Sequence, residues 1–130
     1  MERRRITTDR GPAAIGPYSQ AIEAGDFVFV SGQIPLDPAT MTFVSGDAAA
    51  QTERVMKNLA AILDAAGTSI DRTVKATIYL KNLQDFEAVN RVYGAAFRGD
   101  PPARATVEVS GLPKGALVEI EVIALKGKSS

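Results

Sequence analysis

Apolar and polar side chains alternate with period two along several stretches of the chain, and that period marks strands. Thr73-Val74-Lys75-Ala76-Thr77-Ile78-Tyr79-Leu80 alternates cleanly, with Val74, Ala76, Ile78 and Leu80 on one face. Phe27-Val28-Phe29-Val30-Ser31-Gly32-Gln33-Ile34-Pro35 is apolar on both faces and predicts a central strand buried on both sides. Tyr18–Ala24 alternates weakly and reads as the strand before it, with Gly25-Asp26 as the hairpin turn. Arg3–Thr8 reads as a short, charged edge strand. The chain ends in two further runs, Pro101–Val109 and Leu117–Leu125. The first places Arg104, Thr106 and Glu108 on one face and Ala105, Val107 and Val109 on the other. The second places Glu119 and Glu121 with Leu117, Ile123 and Leu125.

Two stretches follow the helical period instead. Val55, Met56, Leu59, Ile62, Leu63 and Ala66 form one stripe, with Glu53, Arg54, Lys57, Asn58 and Asp64 on the other side. Asp47 or a neighbour is the expected cap, and Gly67 the terminator. Phe86, Val89, Tyr93, Ala96 and Phe97 form a second stripe, preceded by Asn82 and Asp85 spaced as a capping box. Asn90 falls inside that stripe, where an amide needs partners: a neighbouring loop or a pocket. The order contains two strand-helix-strand units, which imply crossovers and some parallel pairing. Two helices cover one face of such an α+β sheet. The other face is too apolar to leave wet, so it is expected to pack against other subunits.

Composition narrows the chemistry. A chain of 130 residues suits one domain, 1–130. Fifteen basic and 15 acidic residues cancel, which argues against a nucleic-acid surface. The Arg3-Arg4-Arg5 run reads as a solvated terminus before it reads as an RNA contact. With no cysteine and no histidine there are no disulfides, no Cys/His metal sites and no histidine triads. No apolar run reaches about 18 residues, and the basic start Met1–Ile6 has no apolar segment after it. A cytoplasmic protein is the expectation.

Arg104 and Glu119 are the candidate chemistry. A guanidinium is a planar fork for a carboxylate, and a glutamate can move a proton. The same two residues also fit a structural cross-strand ion pair. Gly32 marks either a bulge or the close approach of a ligand.

The wider motif decides between these readings. Ala13-Ala14-Ile15-Gly16-Pro17-Tyr18-Ser19-Gln20-Ala21 and Val30-Ser31-Gly32-Gln33-Ile34-Pro35 carry it first. Asp85-Phe86-Glu87-Ala88-Val89-Asn90 and Pro102-Ala103-Arg104…Leu112-Pro113…Val118-Glu119-Ile120 complete it. Together they resemble the RidA (YjgF) family of enamine/imine deaminases over nearly the whole chain. The resemblance implies a chorismate-mutase-like fold: a mixed six-stranded sheet with two helices on one face, trimeric around a central β-barrel. It implies active sites between subunits and no cofactor. The implied reaction is hydrolysis of reactive 2-imino acids (2-iminopropanoate, 2-iminobutanoate), released by pyridoxal-phosphate dehydratases, to 2-oxo acids and ammonia.

Under the resemblance, Tyr18, Ser31, Gly32, Asn90 and Arg104 line the substrate pocket. Arg104 grips the substrate carboxylate and Glu119 positions and activates water. Many members have a cysteine where Thr106 stands, so thiol-based switching is not expected here. Glu121 and Glu108 read as structural, interfacial or solvated charges. The alternatives are a non-catalytic small-molecule-binding regulator and, less favoured, an endoribonuclease or translation inhibitor.

Overall fold

The computed structural model describes residues 2–127; Met1 of the basic N-terminus lies outside them. The strands are β1 (Arg3–Ile6), β2 (Ala21–Ala24), β3 (Phe27–Gln33), β4 (Thr73–Leu80), β5 (Ala103–Glu108) and β6 (Val118–Leu125). The helices are α1 (Ala48–Ala65) and α2 (Phe86–Gly94). The strands form one mixed sheet in the order β1-β2-β3-β6-β4-β5. β4 and β5 run parallel, joined by α2. The remaining neighbours are antiparallel.

Both helices pack on one face. Val28 and Val30 of β3, Ala76, Ile78 and Leu80 of β4, and Val118, Ile120, Val122 and Ala124 of β6 meet Val55, Leu59, Ile62 and Leu63 of α1 there. Val89 and Tyr93 of α2 join the same core. Burial of these branched side chains is what holds the two layers together. Asp47 caps α1 as expected, accepting from the Ala50 N–H at 2.9 Å. Gly67, at φ 83°, takes the left-handed position beyond the helix end.

Several expectations fail for physical reasons. β3 is buried on one side of the protomer: Val28 is 0% exposed, while Phe27 and Phe29 are 40% and 44% exposed. β3 is interior to the sheet as expected, between β2 and β6, but its second apolar side is a surface of the protomer. The second strand starts at Ala21 rather than Tyr18, because the Tyr18 N–H closes a tight turn on the Gly16 carbonyl. Asn82 and Asp85 form no capping box. They bracket a 3-10 turn, Leu83–Asp85, and neither side chain caps a backbone N–H. Glu108, read as solvated, accepts from the Leu83 N–H at 2.9 Å instead.

Asn58, assigned to the wet side of α1, is fully buried. Its amide donates to the Leu36 carbonyl at 2.9 Å and accepts from Arg54 Nε at 3.1 Å. It pins the loop after β3 to the helix. A paired amide tolerates burial at a helix position that hydropathy assigns to solvent.

Candidate active site

β4 lies between β5 and β6, so Arg104 and Glu119 are not cross-strand neighbours. Arg104 stands opposite Ala76, and Glu119 opposite Tyr79. Ala76 and Tyr79 differ in parity along β4, so the two side chains leave opposite faces of the sheet. The cross-strand ion pair is excluded, and within one protomer the six candidate residues fall into two groups.

The first group surrounds a cleft of about 480 Å³. Tyr18, Ser31, Gly32 and Glu119 line it, with Ile15, Ile34 and Pro113 giving apolar wall. The pairing register of β3 shifts between Val30 and Gln33, so Ser31 and Gly32 form a bulge. The bulge reading of Gly32 holds, and the group that lies against its Cα is the Glu119 carboxyl. A Cβ at this position would overlap Glu119 Oε2. Ser31 Oγ donates to the Ser19 carbonyl at 2.5 Å, and the Ser31 N–H to the Gln20 carbonyl at 3.0 Å. Ser31 thus fastens the Tyr18 loop to the bulge, and its hydroxyl proton is spent. Gln20 holds the other end of that loop, donating to the Pro12 carbonyl at 2.7 Å and accepting from the Thr8 N–H at 2.8 Å. Tyr18, 52% exposed, is presented at the rim on a braced loop.

Burial pushes the Glu119 carboxyl above the usual glutamate range, and the neighbouring Glu121 charge adds to the effect. A carboxyl poised to hold a proton nearer neutrality suits acid-base work.

The second group is on the helix face. Arg104 Nη1 donates to Asn90 Oδ1 at 2.6 Å. Its guanidinium carbon lies 5.4 Å from the ring centroids of both Phe86 and Tyr93. Phe86, Asn90 and Tyr93 occupy one face of α2 at i, i+4 and i+7, and together they hold the fork in place. Among the described residues no carboxylate pairs with Arg104. An oriented, unpaired guanidinium is a receptor for an anion.

Two features were missed by sequence reasoning. The aromatic sandwich around Arg104 was legible in the Phe86–Asn90–Tyr93 spacing but was read only as core. Lys114, held at φ 58° in the turn before β6, lines the Glu119 cleft, and nothing in its local sequence pointed there. The hydroxyl of Thr106 is buried without a hydrogen-bond partner, as is that of Tyr93.

Residues 8–126 match the family model described as Endoribonuclease L-PSP. The chain is 58% identical to Protein DfrA of Myxococcus xanthus, covering 96% of this chain and 97% of that one. It is 44% identical to a mouse protein named 2-iminobutanoate/2-iminopropanoate deaminase, covering 96% and 93% respectively. The crystal structure of RidA from a Psychrobacter species superposes with a TM-score of 0.90 at 46% identity, covering 94% of this chain and 98% of that one.

Proposed function

Because the chain belongs to the Endoribonuclease L-PSP (YjgF/RidA) family, we propose that it hydrolyses 2-imino acids to 2-oxo acids and ammonia, at sites assembled between protomers of a trimer. The observation that carries this reading is the division of the six candidate residues. Among the described residues, one face offers a fixed guanidinium with no acidic partner; the other offers a cleft with a desolvated carboxyl and no paired cation. Each half lacks what the other supplies. A neighbouring copy brings Arg104 and Asn90 to the mouth of the Tyr18–Glu119 cleft.

The open face of the sheet supports assembly. Phe27, Phe29 and Val107 are 40%, 44% and 43% exposed there. Side chains of this size are withdrawn from water at roughly 25 cal/mol per Å². Packing three such faces about an axis gives the central barrel.

The chemistry follows from the residue types. Arg104 binds the substrate carboxylate through its fork, worth about 1.5–3 kcal/mol as a charge-assisted contact, and so fixes the C=N carbon. As water adds across the C=N bond, Glu119 passes a proton to the nitrogen and takes one from the water; it then protonates the nitrogen again and recovers the hydroxyl proton as the carbon–nitrogen bond breaks. Water is consumed, and the products are a 2-oxo acid and ammonia. The imine carbon is already electrophilic, so no covalent nucleophile is needed. Tyr18 and Ile15 wall the guest, and Gly32 admits the carboxyl against the backbone.

The test couples an amino-acid oxidase to 2-imino acid loss. Wild type accelerates the loss; Arg104→Ala and Glu119→Gln do not. Undiminished hydrolysis by Glu119→Gln would remove that carboxyl from the proton-handling role, and a wild type that leaves the spontaneous loss unaccelerated would favour a binding protein without turnover. RNA cleavage, suggested by the family's description, has the weaker chemical basis, given balanced charge and no histidine.

A further inference from the structure

Beyond the two groups lies a third set of side chains that the proposed reaction does not yet use. Glu119 and Glu121 alternate with buried Ile120 on β6 and so share the open face of the sheet. Tyr79 of β4 stands directly opposite Glu119, but its hydroxyl reaches diagonally and donates to Glu121 Oε1 at 2.5 Å. No donor among the described residues reaches the Glu119 carboxyl. Two carboxyls two residues apart on one strand face raise each other's cost of ionisation, and the proton favours the one whose anion is less well served by donors.

We propose that Tyr79 and Glu121 form a fixed anion beside the cleft that keeps the proton on Glu119, making Glu121 a positioning residue for the proton-handling group. Burial and the Glu121 charge both push the Glu119 carboxyl up, in accord with this arrangement. The Tyr79 phenol is pushed up to about 12, first by its hydrogen bond to Glu121, so it stays a donor throughout the working range. Within one protomer the groups facing the pair from other elements are few, and in the proposed assembly a neighbouring copy's Arg104 reaches the same cleft and opposes the effect of Glu121. β4 contributes Lys75 and Thr77 to a small groove with Glu121. β3 contributes the Ser31-Gly32 bulge, and the loops contribute Tyr18 and Lys114 to the cleft. None of these cations ion-pairs with either glutamate among the described residues.

The proton placement has a catalytic consequence that rests on the deaminase reading. After water adds to the imine, protonated Glu119 gives its proton to the nitrogen. As that C–N bond breaks, the hydroxyl proton returns to the Glu119 carboxylate and ammonia leaves. The site is reset without exchange with solvent.

The experiment is a carboxyl ¹³C NMR titration of Glu119 in wild type, Glu121→Gln and Glu121→Asp, run beside the pH profile of kcat/KM. Glutamine keeps an acceptor for Tyr79 but removes the charge; aspartate keeps the charge but withdraws it from the phenol. The expected result is a fall of about one pH unit in the Glu119 midpoint for Glu121→Gln, with the alkaline limb of kcat/KM moving equally, because the protonated carboxyl is the working form. Glu121→Asp retains most of the wild-type midpoint. A midpoint unmoved in Glu121→Gln, or moved more by aspartate than by glutamine, overturns the proposal. If wild type hydrolyses no imine but the midpoint still falls, the deaminase reading fails and the proton placement stands.

Discussion

Gly32→Ala separates the fold from the chemistry more sharply than removal of any charged residue. The added Cβ would overlap Glu119 Oε2 and lie 3.0 Å and 3.2 Å from the Glu119 Cδ and Cγ. Only Glu119 side-chain atoms are among its nearest contacts, and that side chain ends in a flexible carboxyl. The fold therefore yields cheaply: Glu119 turns away at a rotamer cost of about 0.5–1.5 kcal/mol. In a thermal melt this is a loss of roughly 2–8 °C in Tm. Catalysis yields dearly. A displaced carboxyl forfeits the proton transfers, which contribute about 10²–10⁴-fold, equivalent to roughly 3–5 kcal/mol of barrier. The assay is oxidase-coupled 2-imino acid loss, read as kcat, alongside the melt. A kcat within twofold of wild type, or a collapse of the melt by more than about 10 °C, refutes the reasoning.

Three further outcomes follow from the same geometry. Arg104→Lys keeps the charge but loses the planar fork and the stacking between Phe86 and Tyr93, so KM rises about tenfold or more while the melt is nearly unchanged; an unaltered KM contradicts the carboxylate role. Thr106→Val replaces a buried hydroxyl that has no partner with a methyl of similar shape, and stabilises the protein by about 1 kcal/mol in urea unfolding; a loss of stability means that the hydroxyl is paired in solution. Glu119 holds its proton more tightly folded than unfolded, so the folded state binds more protons between 4.5 and its raised value. Stability then falls as pH rises through that window, and Glu119→Gln abolishes this part of the fall, as pH-dependent melts will show.

The sequence exposed faces far better than neighbours. Strict alternation placed Arg104 with Thr106 and Glu108, and Glu119 with Glu121, correctly, because the side-chain period of a strand is local. Strand order is not local. The last two strands follow one another in the chain, yet β4 inserts between them, and that insertion dissolves the alternative of a cross-strand ion pair. Phe27 and Phe29 looked like core for a related reason: hydropathy reports that a side chain avoids water without saying whether its own protomer covers it. Asn58 went wrong in the opposite sense, since a polar label cannot foresee the carbonyl of Leu36 waiting in a distant loop. The resemblance collected Tyr18, Ser31, Gly32, Asn90, Arg104 and Glu119 as one site. Their separation onto two faces became visible only in three dimensions.

That separation makes subunit complementation the most direct measurement. Arg104→Ala and Glu119→Gln proteins, each inactive alone, are unfolded together and refolded as a mixture. If each site takes its guanidinium from one protomer and its carboxyl from the next, random assembly restores intact sites at about one quarter of the wild-type frequency. Recovery of about a quarter of wild-type imine hydrolysis is the predicted result. A mixture that assembles normally yet stays as inactive as its parents would contradict the shared site.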